Sequence, residues 1–254
     1  MKRTLWITLC AVFLGASLSY GNAAPKPPEQ NWSFEGPFGT FDRKALRRGL
    51  QVYREVCASC HSAAHLRYEK LKELGFTESD VKAIAAEYEV PGPVGEDGNT
   101  KPRKAEPKDF FAHPYPTEAA ARDANNGALP VDLSMVIKAR PHGPDYVFAF
   151  ITGYAKAPSD LKMAPGMHYN LYFPGHQSAM APPLSDNQVT YPDGTPATVD
   201  HMARDVVTFL AWASEPEMET RKRMGVMVLI FLSIFTAMLY VLTKRVWWHI
   251  KHPS

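Results

Sequence analysis

Cys57-Ala58-Ser59-Cys60-His61 follows directly on an amphipathic run, Asp42 to about Val56, in which Leu46, Leu50, Tyr53 and Cys57 recur at helical spacing. Gly49 inside that run leaves room for another element to approach closely. Two thiols separated by two residues can reach the two vinyl groups on one porphyrin edge, and the next residue then projects its imidazole toward the iron. The pentapeptide is therefore the attachment pattern of a covalently bound haem. It contains every cysteine of the chain except Cys10, which lies in the N-terminal leader. Two other uses of a Cys pair fit less well. A zinc site needs four N or S ligands, and the sequence has neither a second Cys pair nor histidines at finger spacing. A thiol–disulfide redox pair belongs in a βαβ context, which the sequence lacks.

Outward from the motif, two apolar segments set the address. Residues 1–23 read as a cleaved signal peptide: Lys2 and Arg3 start it, Leu5 to Leu18 is its apolar stretch, and Gly21-Asn22-Ala23-Ala24 supplies small residues for cleavage. Met224 to Thr243 carries no charge. At about 1.5 Å per residue, a helix of that length spans the roughly 30 Å of bilayer hydrocarbon. Arg221, Lys222 and Arg223 flank it on one side and Lys244 and Arg245 on the other, with Tyr240, Trp247 and Trp248 suited to the interface. These flanks are too balanced to orient the helix, but the leader exports the body. The expected organisation is an exported haem domain over 24–220, an anchor over 221–245 and a short inner tail over 246–254.

Between these segments the body is expected to be mainly α-helical. Thr77-Glu78-Ser79-Asp80 has the form of a capping box and starts a helix to about Tyr88. Short helices are expected over 117–123, 133–140 and 145–153. Thr198 caps a last helix, Val199 to Ala213, whose apolar face is Met202, Val206, Phe209 and Ala213. Residues 89–116 and 155–197 read as long loops, and 22 prolines favour such loop-rich order. No alternating strand pattern and no internal repeat is visible. The net charge of +2 conceals an acidic body, because Lys2, Arg3, Lys244, Arg245 and Lys251 all sit in the terminal segments. A nucleic-acid partner is excluded.

His61 supplies one axial iron ligand, and Met or His is the usual second. Met135 and Met202 sit at helical spacing and read as core, and Met218 lies beside the membrane. Met163, Met167 and Met180 lie in the long irregular region, where a loop can fold over a haem face. Pro182 and Pro183 stiffen the chain just past Met180, which favours it modestly and leaves Met167 open. A thioether ligand stabilises reduced iron and raises the potential. A partly buried propionate needs a cation; by residue pattern alone, Arg122 reads as a solvated helix arginine.

The chain resembles the cytochrome c1 family, the haem-bearing subunits of ubiquinol–cytochrome c reductase. The likeness is carried by Trp32-Ser33-Phe34-Glu35-Gly36-Pro37-Phe38-Gly39, by Arg47-Arg48-Gly49-Leu50-Gln51-Val52-Tyr53 and by the haem motif itself. It continues in Arg122-Asp123-Ala124-Asn125-Asn126-Gly127-Ala128-Leu129-Pro130, Tyr169-Asn170-Leu171-Tyr172-Phe173-Pro174-Gly175 and Met180-Ala181-Pro182-Pro183. It ends in Asp193-Gly194-Thr195-Pro196-Ala197-Thr198 and Arg221-Lys222-Arg223-Met224-Gly225.

That resemblance implies a c-type cytochrome head with long loop insertions, one haem c, and a single C-terminal transmembrane helix. It implies Met180 as the second axial ligand and Arg122 as the propionate partner. It implies electrons received from a Rieske iron–sulfur protein and passed to a cytochrome c, beside a cytochrome b subunit, in a bacterial inner membrane with the head in the periplasm. Quinol chemistry belongs to the b subunit, so this chain has no catalytic residue of its own. Some bacterial relatives carry a further Cys pair near the axial methionine; here no cysteine follows Cys60. Residues 89–116 match least and carry no expected role. A free-standing anchored electron carrier, or an assembly subunit with an incidental haem, are the alternatives.

Overall fold

The structure is a computed structural model that describes residues 24–94 and 100–252. The signal peptide expected over 1–23 lies outside the described residues.

Asp42 begins the first helix, α1 (Arg43–Glu55), by accepting hydrogen bonds at its carboxylate from Lys44 N and Ala45 N at 2.8 and 3.3 Å. That satisfies two of the amides a helix start leaves unpaired. One face of α1, built of Leu46, Gly49, Leu50, Val52 and Tyr53, is buried. It packs against the last helix of the head, α5 (Val199–Ser214), capped by Thr198 through His201 N. Gly49 makes the crossing possible: a Cβ there would lie 2.0 Å from the Asp205 carbonyl oxygen. Arg48 closes the same crossing with a two-pronged pair to Asp205, Nε at 2.7 Å and Nη2 at 2.9 Å. Aromatic rings continue the core, with Tyr53 between Phe209 and Phe111 at 5.5 and 6.0 Å and Tyr68 stacked on Phe111 at 4.5 Å.

Three smaller helices complete the head. They are α2 (Glu78–Ala86), with the Thr77/Asp80 capping box the sequence predicts, α3 (Glu118–Ala124) and α4 (Gly143–Thr152). Short 3-10 turns cover Cys57–Ser59 and Tyr68–Leu74. The Pro-rich lead-in is held down by Asp145 of α4, which accepts from Trp32 Nε1 at 2.7 Å and Gln30 N at 3.0 Å.

Three expectations are corrected. Residues 89–116 are not irregular throughout: β1 (Glu89–Val94) pairs antiparallel with β2 (Thr100–Lys104), Glu89 opposite Lys104. Almost every residue of this ribbon is exposed or half-exposed, so it never needed an alternating apolar face. Pro91, Pro93 and Pro102 suit a ribbon whose strands each have one free edge. A second, two-residue pair joins β3 (His168–Tyr169) to β4 (Gln177–Ser178). The helix expected over 133–140 is replaced by turns, because Leu133 and Ser134 bond instead to the chain after the haem motif, Leu133 N to Ser62 O at 2.8 Å. Met135 on that segment is 46% exposed rather than core, whereas Met202 is fully buried as expected.

The final helix, α6 (Met218–Lys251), is unbroken through the apolar stretch, which is wholly unburied. It is long and apolar enough to cross a membrane. It begins three residues before the anchor predicted from the sequence and continues into the expected tail. The observed architecture is mainly α, with one C-terminal apolar helix.

Candidate functional site

The Cys57–His61 segment winds directly off α1. His61 N and Cys60 N both donate to the Cys57 carbonyl, at 2.9 and 3.1 Å, so both thiols and the imidazole leave one tight turn. Both cysteines are half-buried free thiols. Burial pushes the Cys57 thiol up to about 12, with the neighbouring Cys60 adding to the rise. Among the described residues no group of three or more His, Cys, Asp or Glu is placed to hold a metal ion.

His61 carries the sharpest geometric signal. Its Nδ1 sits 2.7 Å from the Val131 carbonyl oxygen. A carbonyl only accepts, so Nδ1 bears the proton and the Nε2 lone pair is left free. That is the tautomer a metal-binding imidazole needs, with its other nitrogen oriented by a backbone acceptor. Burial lowers the His61 pKa, which the Val131 and Asp132 contacts only partly offset, and so favours the neutral ring.

The Val131 carbonyl is itself held in place. Asp132 accepts from Ser62 Oγ at 2.6 Å, Ala64 N at 2.8 Å and Ser134 N at 2.8 Å. His65 N donates to Ser134 Oγ at 3.0 Å. Residues 131–134 are thus stitched along residues 61–65. Burial would raise the Asp132 carboxyl, but these hydrogen bonds outweigh it and hold the pKa below its usual value.

Arg122 lies on α3, exposed, with Nη1 donating to Gly127 O at 3.1 Å. Asn125, one turn on, donates through Nδ2 to Tyr115 Oη at 3.1 Å, and the Tyr115 hydroxyl contacts Cys60 Sγ at 3.8 Å. This relay brings the Arg122 helix to the Cys60 side of the motif. Met180 is half-buried and held at both backbone atoms, its N donating to Ser178 Oγ at 3.1 Å and its O accepting from Tyr154 Oη at 3.0 Å. Met167 is 36% exposed, on the approach to the short β3 strand. Sequence reasoning missed Val131, Asp132, Tyr115 and Tyr154. The only signal for Tyr115 and Asp132 was that they flank the Arg122–Pro130 stretch.

The donor set fits a haem: two thiols and an imidazole leave one turn, and the imidazole's outer nitrogen is already committed. Fold and site together define a c-type haem protein with a mainly α-helical head. The chain matches the model of the Cytochrome C1 family over residues 32–250. It is 40% identical to "Cytochrome c1" of Rhodospirillum rubrum over 99% of this chain and 98% of that one. It is 44% identical to "Cytochrome b/c1" of Bradyrhizobium diazoefficiens over 93% of this chain, spanning 38% of that protein's length. It is 45% identical to "Cytochrome b-c1 complex catalytic subunit, mitochondrial" of Candida albicans over 87% of this chain and 77% of that protein. The chain belongs to the Cytochrome C1 family, electron-transfer proteins that carry a covalently bound haem c.

Proposed function

We propose that the chain is the haem-bearing electron-transfer subunit of a respiratory quinol–cytochrome c oxidoreductase. In this reading it takes electrons from a Rieske iron–sulfur protein and delivers them to a cytochrome c, beside a cytochrome b subunit. Support comes from relatives whose names join b and c1. The observation that carries the site is the His61 Nδ1–Val131 O hydrogen bond, which presents Nε2 as a ligand.

In the same reading Cys57 and Cys60 would hold the haem through thioether bonds, His61 Nε2 and the Met180 sulfur would ligate its iron, and Arg122 would meet a propionate. When bound, the haem supplies a one-electron couple that a thioether ligand shifts toward the reduced form. The chain's own contribution is placement. Asp132 and Val131 fix the imidazole plane, and Ser178 and Tyr154 grip the Met180 backbone, so neither ligand has to reorganise when charge changes. Residues 1–23 act as the export signal, 24–220 form the periplasmic head, 221–245 anchor it in a bacterial inner membrane, and 246–254 lie inside.

Mild detergent extraction tests this. A reduced-minus-oxidised spectrum of the purified material is expected to show c-type and b-type haem together, with an iron–sulfur protein in the same fraction. A c-type haem protein that migrates alone would replace this reading with that of a free-standing anchored carrier.

A further inference from the structure

Where the head meets α6, a cluster of cations lines its surface. Arg43, Lys44 and Arg47 on the first turns of α1 face Lys72, Glu73, Leu74 and Gly75 at the end of the Tyr68–Leu74 turn, across a cleft of about 310 Å³. Four cations and one carboxylate line it, and Glu73 is engaged by Lys70 at 2.9 Å. Lys44 and Arg47 make no ion pair among the described residues, and the Arg47 guanidinium rests on the Phe76 ring at 4.3 Å. Both also line the adjoining cleft of about 490 Å³, where Arg48 is paired with Asp205 and Asp193, and Arg54 with Glu87. Lys72 pairs with Glu78 at 3.5 Å, so the unpaired cations of this face are Lys44 and Arg47, with Glu55 the one acidic residue of the adjoining cleft outside an ion pair among the described residues.

Ion pairs tie both walls of the cleft to the start of α6. Arg43 Nη2 pairs with Glu219 at 2.6 Å on one side, and Lys70 Nζ with Glu217 at 2.7 Å on the other. Glu219 also accepts from Phe41 N at 2.7 Å. From Glu219 to Met224, the first residue of the uncharged run, is five residues, about 7.5 Å along a helix axis. Next to this, Lys222 Nζ clamps the carbonyls of Phe34 and Gly39 at 2.6 and 3.2 Å. That turn is tight enough that a Cβ on Gly39 would lie 1.9 Å from Glu35 O. It holds Phe38 outward, 80% exposed, on the turn gripped by Lys222, itself two residues before the apolar run. An exposed aromatic on a turn tied to the start of a bilayer span, on a head that also carries unpaired Lys and Arg near that start, has the composition of an interfacial lipid contact.

We propose that this cleft binds the phosphate-bearing headgroup of an anionic phospholipid in the leaflet that meets the head, with Lys44 and Arg47 as its cations and Phe38 seated in the interface alongside. The proposal rests on the reading that α6 spans the membrane. Its ligand is the lipid phosphodiester; free phosphate and an acidic segment of another subunit are the competitors the test separates.

The full-length, haem-loaded chain is purified in mild detergent, stripped of lipid, and titrated with phosphatidylglycerol or phosphatidylcholine while native mass spectrometry counts bound lipids. Wild type is expected to hold one phosphatidylglycerol more per chain than Lys44→Gln/Arg47→Gln, with the variant's affinity weaker by about tenfold or more. Phosphatidylcholine is expected to show no difference between the two. Equal phosphatidylglycerol counts in both proteins overturn the proposal. Displacement of the lipid by equimolar inorganic phosphate reduces the cleft to a free-anion site and also overturns it. A photocrosslinker attached at Lys44→Cys in native membranes is expected to label lipid, and labelling a polypeptide instead overturns it. Both exposed substitutions leave the haem spectrum as the folding control. Alkaline carbonate extraction tests the span separately: a chain released from membranes removes the span reading, whereas a retained chain with equal lipid counts removes only the lipid site.

Discussion

His61 Nδ1 donates to the Val131 carbonyl across 2.7 Å, joining two residues seventy positions apart and fixing which ring nitrogen is free. The bond is only as stiff as the segment that offers the carbonyl. That segment is pinned by Asp132, whose carboxylate collects three donors from residues 62–64 and 134. Asp132→Ala strands those donors and is expected to lower the stability of the haem-loaded chain by about 2 kcal/mol, the scale of a charged hydrogen-bond cluster that is partly exposed. Asp132→Asn keeps an acceptor and is expected to recover about half of that. Thermal unfolding checks the stability. The midpoint potential checks the coupling, since a merely structural Asp132 would leave it unmoved.

Gly49→Ala addresses the α1–α5 crossing. The added methyl would sit 2.0 Å from Asp205 O and 2.8 Å from Phe209 Cβ, and one of those neighbours is backbone. Overpacking of this kind costs about 3 kcal/mol when the helices cannot separate. Because α1 leads straight into the haem motif, the variant is expected to lose haem incorporation along with stability. A Gly49→Ala chain that unfolds within a degree of wild type would show that the two helices part easily.

The terminal helices of the head, the Thr198 cap and the long apolar helix were legible because each obeys a local rule: periodicity of 3.6, a Thr before the first turn, an uncharged run of bilayer length. The β1–β2 ribbon was not, since a strand pair solvated on both faces has no apolar alternation to display. At the site, spacing alone singled out Cys57, Cys60 and His61. Val131 was not, because it acts through a carbonyl that every residue possesses. Tyr115 was not, because its partner lies fifty-five positions away. The resemblance, and not the residue pattern, singled out Met180 and Arg122.

Acid should loosen the ribbon's attachment to the head. Arg103 grips Asp109 with two prongs at 2.6 and 2.7 Å and, against some desolvation, holds its carboxyl at about 2, below its ordinary value of 3.8. A carboxyl whose folded pKa is depressed contributes stability that is present above the unfolded value and lost as pH falls through the folded one. The loss therefore falls between about pH 4 and pH 2. Asp109→Asn is expected to lower stability at neutral pH by about 1 kcal/mol, a value reduced for solvent screening of a surface pair. It should also flatten this part of the acid limb. Thermal midpoints across that pH range, wild type against variant, check it: parallel curves would show that the pair contributes nothing.

Met180→Leu and Tyr154→Phe form a graded pair of tests for the second axial position. Removing the sulfur is expected to drop the midpoint potential by an amount on the order of 0.1 V and to open the haem to carbon monoxide, because a thioether stabilises reduced iron. Tyr154→Phe removes only the hydroxyl that holds the Met180 carbonyl at 3.0 Å. One hydrogen bond of about 1 kcal/mol limits its effect to under about 50 mV, with carbon monoxide still excluded. Met167→Leu should change neither observable. Were Met167→Leu to lower the potential and Met180→Leu to leave it intact, the axial sulfur would belong to Met167, and the grip of Ser178 and Tyr154 on Met180 would be a matter of loop packing alone.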